Sequence, residues 1–173
     1  SDFSKNHIVQ AAIKKETSPK IKFCSIFLLM LENGQQTLKD AIIAMQKRIN
    51  IPNDYKNLVL LLENIYPMLF SSDGNKKKEF SAEQYLNIIE KLDALRKPTN
   101  MEEVLEVIRL KKDYASIETT VSLIRKSLVL AQSVKINNLQ EEGLEGSVIG
   151  EKLRELRLNK IKEELKRPKQ AYR

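Results

Sequence analysis

The sequence predicts an all-α protein, a helical array of about eight helices with a basic helix at its C-terminal end. Three observations support this fold class. Apolar residues recur at spacings of three and four along most of the chain. Strand signals are weak, because no Asn-Gly or Asp-Gly turn lies between alternating apolar runs. The five glycines and five prolines fall mostly between the helical patterns, where helices are expected to begin or end.

Four helices are predicted in the N-terminal part. The first has Ser4 as its N-cap, and the second follows Ser18 and ends at Asn33-Gly34. The second helix is apolar on nearly every side, so we expect it to be central, with Cys24 as a core residue. Its apolar stretch of about eleven residues is shorter than the roughly 20 that a membrane span needs. The predicted ranges are 4–15, 20–32, 37–49 and 55–65, with Pro67 ending or kinking the last one.

Four more helices are predicted after a polar loop at 71–78. Ser81 is expected to cap the first of them, and Thr99 or Asn100 the second, with Glu102 and Glu103 in its first turn. The predicted ranges are 82–94, 101–114, 117–134 and 147–165.

Composition and charge exclude several kinds of functional site. The chain has 30 Lys and Arg against 23 Asp and Glu, a net charge of +7. One cysteine excludes a disulfide framework and a Cys-based zinc site. One histidine, His7, excludes most His-based metal clusters, and also Ser-His-Asp catalysis unless His7 itself serves. The composition is typical of a binding or scaffolding body more than of a self-sufficient enzyme.

The C-terminal helix carries most of the excess charge. Residues 151–173 hold nine Lys or Arg and four Glu, a net charge of +5. Two interpretations stay open: a solvated amphipathic helix, or a helix that contacts nucleic-acid phosphates. The helix lacks interleaved aromatic residues for base stacking, so backbone and shape recognition of a folded RNA fits better than base reading. The candidate RNA-binding residues are Lys152, Arg154, Arg157, Lys160 and Lys162.

Two local features of this region carry further expectations. Glu151 is expected to pair with Arg154, and Glu155 with Asn159 or the turn of Arg154. Gly146 and Gly143 permit positive φ, and Gly146 precedes a helix N-terminus that could receive a phosphate. The alternative is that this turn only sets the packing angle of the last helix.

Three motifs resemble those of one known family. Residues 48–54 (RINIPND) resemble R-L-x-V-P-N-E, and residues 92–98 (LDALRKP) resemble I-D-A-W-R-K-P. Residues 143–161 resemble G-F-x-G-x-x-I-x-x-x-L-x-x-x-R-x-x-x-I, with matches that include Gly143, Gly146 and Arg157. These motifs occur in this order in the C-terminal helical part of bacterial CCA-adding enzymes, which are tRNA nucleotidyltransferases related to bacterial poly(A) polymerases. The resemblance covers about residues 20–168.

The resemblance implies that catalysis and tRNA binding belong to different parts of the protein. In the family, an N-terminal catalytic head binds Mg²⁺ and CTP or ATP, and the helical body and tail grip tRNA through its backbone and shape. This chain has no D-x-D motif of that head, so the resemblance implies a cytoplasmic, tRNA-binding body and tail. It would hold no cofactor, contact no membrane and be inactive alone. Because the chain begins at Ser1 rather than Met, we expect the natural protein to extend upstream. Addition of CCA, of part of CCA, or of poly(A) all stay open.

Many relatives carry an HD phosphohydrolase site in their helical part. Residues 23–29 resemble the stretch that ends in His-Asp there, but Leu28 and Leu29 stand in those positions. Leucine cannot ligate a metal. The resemblance therefore implies a degenerate HD-like subdomain at 1–70 that has no metal site, in which these two positions serve core packing. The body and tail would then occupy 71–173.

Another interpretation from a different functional class is a helical protein-interaction scaffold without nucleic-acid binding. The C-terminal helix is amphipathic, so its apolar residues could dock a protein partner. In that case binding would depend on Leu153, Leu156 and Ile161 rather than on the basic residues. The missing ligands argue against a third possibility, an active HD-type hydrolase.

Overall fold

The computed structural model describes residues 6–14, 17–34, 37–70, 79–135 and 146–166. Within these ranges the regular elements are eight α-helices and one short 3-10 helix, Tyr114–Ser116, with no strand, which confirms the all-α prediction. The predicted cap Ser4, the loop at 71–78 and Gly143 lie outside these ranges. The α-helices are α1 His7–Lys14, α2 Pro19–Glu32, α3 Leu38–Gln46, α4 Asn53–Leu69, α5 Ala82–Lys91, α6 Pro98–Ile108, α7 Glu118–Gln132 and α8 Ser147–Lys166.

The chain forms two compact units, and each unit is built from two separate segments of the sequence. The first unit comprises Ser1–Lys77 and Lys91–Glu118, and the second comprises Lys78–Glu90 and Thr119–Arg173. The first unit therefore contains α1 to α4 and α6, and the second contains most of α5 together with α7 and α8. The division at residue 70 inferred from the family resemblance stays a prediction.

Helix α2 is the centre of the first unit, as predicted. It contacts α1, α3, α4 and α6. Its start is fixed locally, because the Ser18 hydroxyl accepts a hydrogen bond from the Ile21 backbone N–H at 3.3 Å. Gly34 follows its end with φ +82°, a conformation that glycine adopts without steric cost. Leu28 and Leu29 are 0% and 5% exposed, so both positions are packed into the core.

Helix α4 runs past its predicted end. It continues through Pro67 to Leu69 instead of ending at residue 65, so the alternative that Pro67 ends the helix was wrong. Proline removes one helical hydrogen bond. Here Ile65 and Leu69 are buried on either side of Pro67, and the Phe70 N–H still donates to the Tyr66 carbonyl at 2.9 Å. Tertiary burial of the apolar stripe therefore outweighs the local signal.

Helix α6 begins earlier than predicted. Pro98 is in its first turn, where a missing N–H costs nothing, so neither Thr99 nor Asn100 is the cap. Asn100 is instead buried, and its side-chain amide donates to the Leu92 carbonyl at 2.9 Å. Glu102 and Glu103 consequently lie beyond the first turn.

Several predicted helix ends also shift. Helix α1 begins at His7, where the Asn6 side chain accepts from the Ile8 N–H at 2.9 Å. Helices α3, α5 and α6 are shorter at their C-termini than predicted, ending at Gln46, Lys91 and Ile108.

Within the second unit, α5 begins with the predicted cap. The Ser81 hydroxyl accepts from the Gln84 N–H at 3.2 Å, and the Gln84 side chain accepts from the Ser81 N–H at 2.9 Å. This reciprocal pair is a capping box. The buried positions of α5 and α7 follow helical spacing, as the apolar pattern predicted.

Candidate nucleic-acid interface

The candidate interface is helix α8, which the sequence predicted closely, at 147–165. Gly146 precedes it with φ +59°, which confirms the predicted positive φ. No atom lies within 4 Å of the position that a Cβ would take at Gly146. Glycine is therefore favoured there by the backbone conformation and not by a close contact within the described residues. Binding of a phosphate at this helix N-terminus stays a prediction.

One face of α8 is engaged within the second unit. Ile161 is its one buried residue, with no exposed surface. Arg154, Arg157 and Glu164 lie on the same face, because residues three, four and seven apart align along a helix. Each of these three side chains contacts α5 or α7. This face, defined by Arg154, Arg157, Ile161 and Glu164, is called the inner face of α8 below.

Arg154 binds three side chains of α5. Its Nη2 donates to Glu83 Oε1 at 2.5 Å and to Asn87 Oδ1 at 2.9 Å, and its Nε donates to the two Glu90 oxygens at 3.0 and 3.2 Å. The hydrogen bonds with Glu83 and Glu90 raise the pKa of Arg154. The acceptors stand four and three residues apart, on one face of α5. Arg154 thus pairs with α5, and the prediction of a partner at Glu151 was wrong.

Two contacts join the rest of the inner face to α7. Arg157 Nε donates at 3.3 Å to the carbonyl of Ala131 in the last turn of α7, which also accepts from the Val134 N–H at 3.3 Å. Burial lowers the pKa of Arg157. Lys126 Nζ lies 2.5 Å from Glu164 Oε1. The structure thus gives both predicted arginines partners inside the second unit, and their contact with RNA stays a prediction.

The predicted lysines are placed differently. Lys160 is half-buried and Lys162 is exposed, and neither has a hydrogen-bond or ion-pair partner among the described residues. Lys166, which was not among the predicted RNA-binding residues, is exposed and also has no hydrogen-bond or ion-pair partner among the described residues. Lys152 Nζ lies 2.8 Å from Glu155 Oε2, so the expected partners of Glu155 were wrong. The unpartnered lysines lie in the C-terminal half of the helix.

The charge of the C-terminal region is unevenly divided. Helix α8 itself has six Lys or Arg against four Glu. The last seven residues contribute three more basic residues and no acid, namely Arg167, Lys169 and Arg173. The excess positive charge of the region therefore belongs as much to its last seven residues, which lie outside the described ranges, as to α8.

Cys24 and His7 were the other candidate groups for chemistry. Cys24 is fully buried, and burial raises its pKa to about 12, so its thiol is a poor nucleophile. His7 is half-exposed and lies 4.0 Å from Glu32. Across the described ranges, no group of three or more His, Cys, Asp or Glu side chains is arranged to hold a metal ion. No described helix is long and apolar enough to cross a membrane.

Comparison with known proteins finds similar sequences along most of this chain. It is 24% identical over 159 residues to the "CCA-adding enzyme" of Pseudomonas entomophila, a match that covers 89% of this chain and 38% of that protein. It is 27% identical over 127 residues to the "CCA-adding enzyme" of Pseudomonas putida, covering 72% and 33%. A "Multifunctional CCA protein" of Pseudomonas fluorescens is 26% identical over 133 residues, covering 74% and 31%.

These matches confirm the resemblance predicted from the three motifs. The chain spans about a third of the length of the curated relatives it matches. No family model matches the chain. No solved structure matches it either.

Proposed function

We propose that this chain is the tRNA-binding helical body and tail of a CCA-adding tRNA nucleotidyltransferase. It would position tRNA for 3′-end nucleotide addition by a catalytic head that lies outside this chain. The observation that carries the proposal is the match to a CCA-adding enzyme along 89% of the chain but only 38% of the relative.

The described lysines of α8 support backbone recognition. Lys160 and Lys162 have no partner among the described residues, so phosphates would not have to displace an existing ion pair. Helix α8 contains no aromatic residue on which a base could stack. Contacts of this kind fix position on the RNA and carry little sequence information. We propose Lys152, Lys160, Lys162 and the turn at Gly146 as the contact sites.

The test is a fluorescence titration of the 173-residue chain with tRNA at two salt concentrations. Each phosphate that a cation neutralises contributes about one unit to the slope of log affinity against log salt. We expect the double variant Lys160→Glu and Lys162→Glu to bind more weakly and to lower this slope by about 2.

The matched control places the same charge change in the first unit, at Lys39→Glu and Lys47→Glu. Both lysines are exposed, and neither has an ion-pair partner in the described part of the chain. We expect this control to retain most of the tRNA affinity and the salt slope. Equal losses in the two double variants would show attraction by net charge alone, and absence of binding by the wild-type chain would refute the proposed function.

A further inference from the structure

We infer that Arg154 is a positioning residue for RNA binding. It holds the first half of α8 against α5, and this fixes the direction in which the α8 lysines point. In this role its guanidinium stays with α5 and does not contact a phosphate. The inference rests on the proposed function, because it assumes that the lysines of α8 meet RNA.

The first argument is that no residue in the N-terminal half of α8 is buried. Ile161, the one buried residue of the helix, lies in the C-terminal half. The contact between Lys126 and Glu164 also lies there. In the first half, Arg154 contacts four acceptor oxygens of α5 at distances between 2.5 and 3.2 Å.

The second argument is the geometry of the guanidinium. Its planar fork uses Nε and Nη2 on three α5 side chains at once, so it fixes both the height and the rotation of α8 relative to α5. Successive residues of a helix point about 100° apart, so Lys160 and Lys162 lie on opposite sides of Ile161, and a rotation of α8 would change how each of them faces a bound backbone. A lysine at position 154 would keep the charge but could not make the same set of contacts.

The third argument is the local charge. Glu83 and Glu90 place two carboxylates around the Arg154 guanidinium, so its charge is already paired within the second unit. A phosphate would have to displace acceptors that already bind the fork. Lys126 of α7 is also paired, with Glu164 of α8. The position is therefore suited to holding α8 in place and poorly suited to binding an anion.

The experiment compares tRNA binding by the wild-type chain, by Arg154→Lys and by the double variant Glu83→Gln and Glu90→Gln. The first variant keeps the net charge, and the second makes the chain more positive by two charges. If Arg154 positions α8, both variants bind tRNA more weakly, and Arg154→Lys loses affinity by about fivefold. The salt slope of Arg154→Lys also falls by about 1, although the net charge of this variant is unchanged. Titrations run at a temperature where all three proteins are fully folded, so a loss of stability alone leaves the slope unmoved.

Direct phosphate contact by Arg154 predicts the opposite sign for the second variant. Neutralising Glu83 and Glu90 would free the guanidinium, raise the affinity and steepen the salt slope, and that result overturns the inference. Amide hydrogen exchange of residues 147–157 gives a readout without RNA, and we expect faster exchange in Arg154→Lys. Unchanged exchange together with an unchanged slope also overturns the inference while leaving the proposed function intact. A wild-type chain that does not bind tRNA overturns both.

Discussion

The ammonium of Lys111 lies 2.6 Å from Oε1 of Glu32, a residue 79 positions earlier in the chain. Only 7% of the Lys111 side chain and 18% of the Glu32 side chain are exposed, so this ion pair is largely shielded from water. Tyr66 Oη lies 3.3 Å from the same ammonium, and the centre of the Phe70 ring lies 4.5 Å from it. The pair therefore links the C-terminal ends of α2 and α4 with the turn after α6, inside the first unit.

Replacing Lys111 by methionine should destabilise the protein by about 2–4 kcal/mol, because Glu32 would lose its counter-charge while still shielded from water. Urea denaturation measures the change. Adding Glu32→Gln to Lys111→Met should restore part of the stability, since the unpaired charge is then removed. A loss below about 0.5 kcal/mol in Lys111→Met would contradict this description of the pair.

Lys111 should also make the unfolding free energy depend on pH in the alkaline range. Burial lowers the pKa of Lys111, but its hydrogen bonds and charge interactions with Glu32 and Tyr66 together outweigh burial and raise this pKa above 10.5. The folded state thus holds this proton more tightly than the unfolded state. Its stabilising contribution is complete below the unfolded pKa and is lost as the pH rises through the folded one. The unfolding free energy should fall more steeply above about pH 10 in the wild type than in Lys111→Met.

Cys24 should be unreactive in the folded protein. It has no exposed surface, and burial raises its pKa from 9.0 to about 12. A chromogenic disulfide reagent at neutral pH should therefore label it only as fast as the protein opens, and rapidly in urea. Labelling of the native protein as fast as of the unfolded protein would show that the thiol is accessible.

The Cys24 thiol also makes stability depend on pH. Above pH 9.0 the unfolded chain loses the thiol proton, while the folded chain keeps it until about 12. Because the folded pKa is the higher one, stability falls as the pH rises through this window. Cys24→Ala, which cannot ionise, should show a smaller fall over the same window, as measured by urea denaturation.

Leu28 is a core residue of α2. Leu28 is fully buried, so Leu28→Ala should cost about 3 kcal/mol through lost burial and a cavity. Ile26 lies on the same helix but is 40% exposed, so Ile26→Ala serves as the control and should cost less than about 1.5 kcal/mol. Equal costs at the two positions would contradict the packing of α2 described above.

Replacing either of two glycines in the α8 region by alanine should change the stability of the helix, in opposite directions. Gly146→Ala should destabilise the start of α8 by about 1 kcal/mol, because alanine is strained at φ +59°. Gly150 lies inside α8 with open space around its Cβ position, so Gly150→Ala should stabilise the helix by up to about 1 kcal/mol. Amide exchange within α8 measures both changes, and a stabilising Gly146→Ala would contradict the turn described here.

Local signals in the sequence predicted much of the fold. The cap at Ser81, the start of α2 after Ser18, the glycine end at Gly34 and the start of α8 depend on neighbouring residues, and the structure confirms them. The errors came where distant burial decides. Helix α4 continues through Pro67 because the residues around it are buried, and Asn100 enters the interior because the Leu92 carbonyl accepts its hydrogen bond.

By itself the sequence determined the all-α class, the resemblance to CCA-adding enzymes, the leucines at 28 and 29, and the concentration of positive charge after residue 150. These properties follow from residue types and short spacings. The tertiary structure alone decided which basic residues of α8 are engaged. Arg154 finds its acceptors 64 to 71 residues away on α5, whereas Lys160 and Lys162 find none in the described ranges. A helix carries charges on several faces, and only the packing of another helix against it selects one of them.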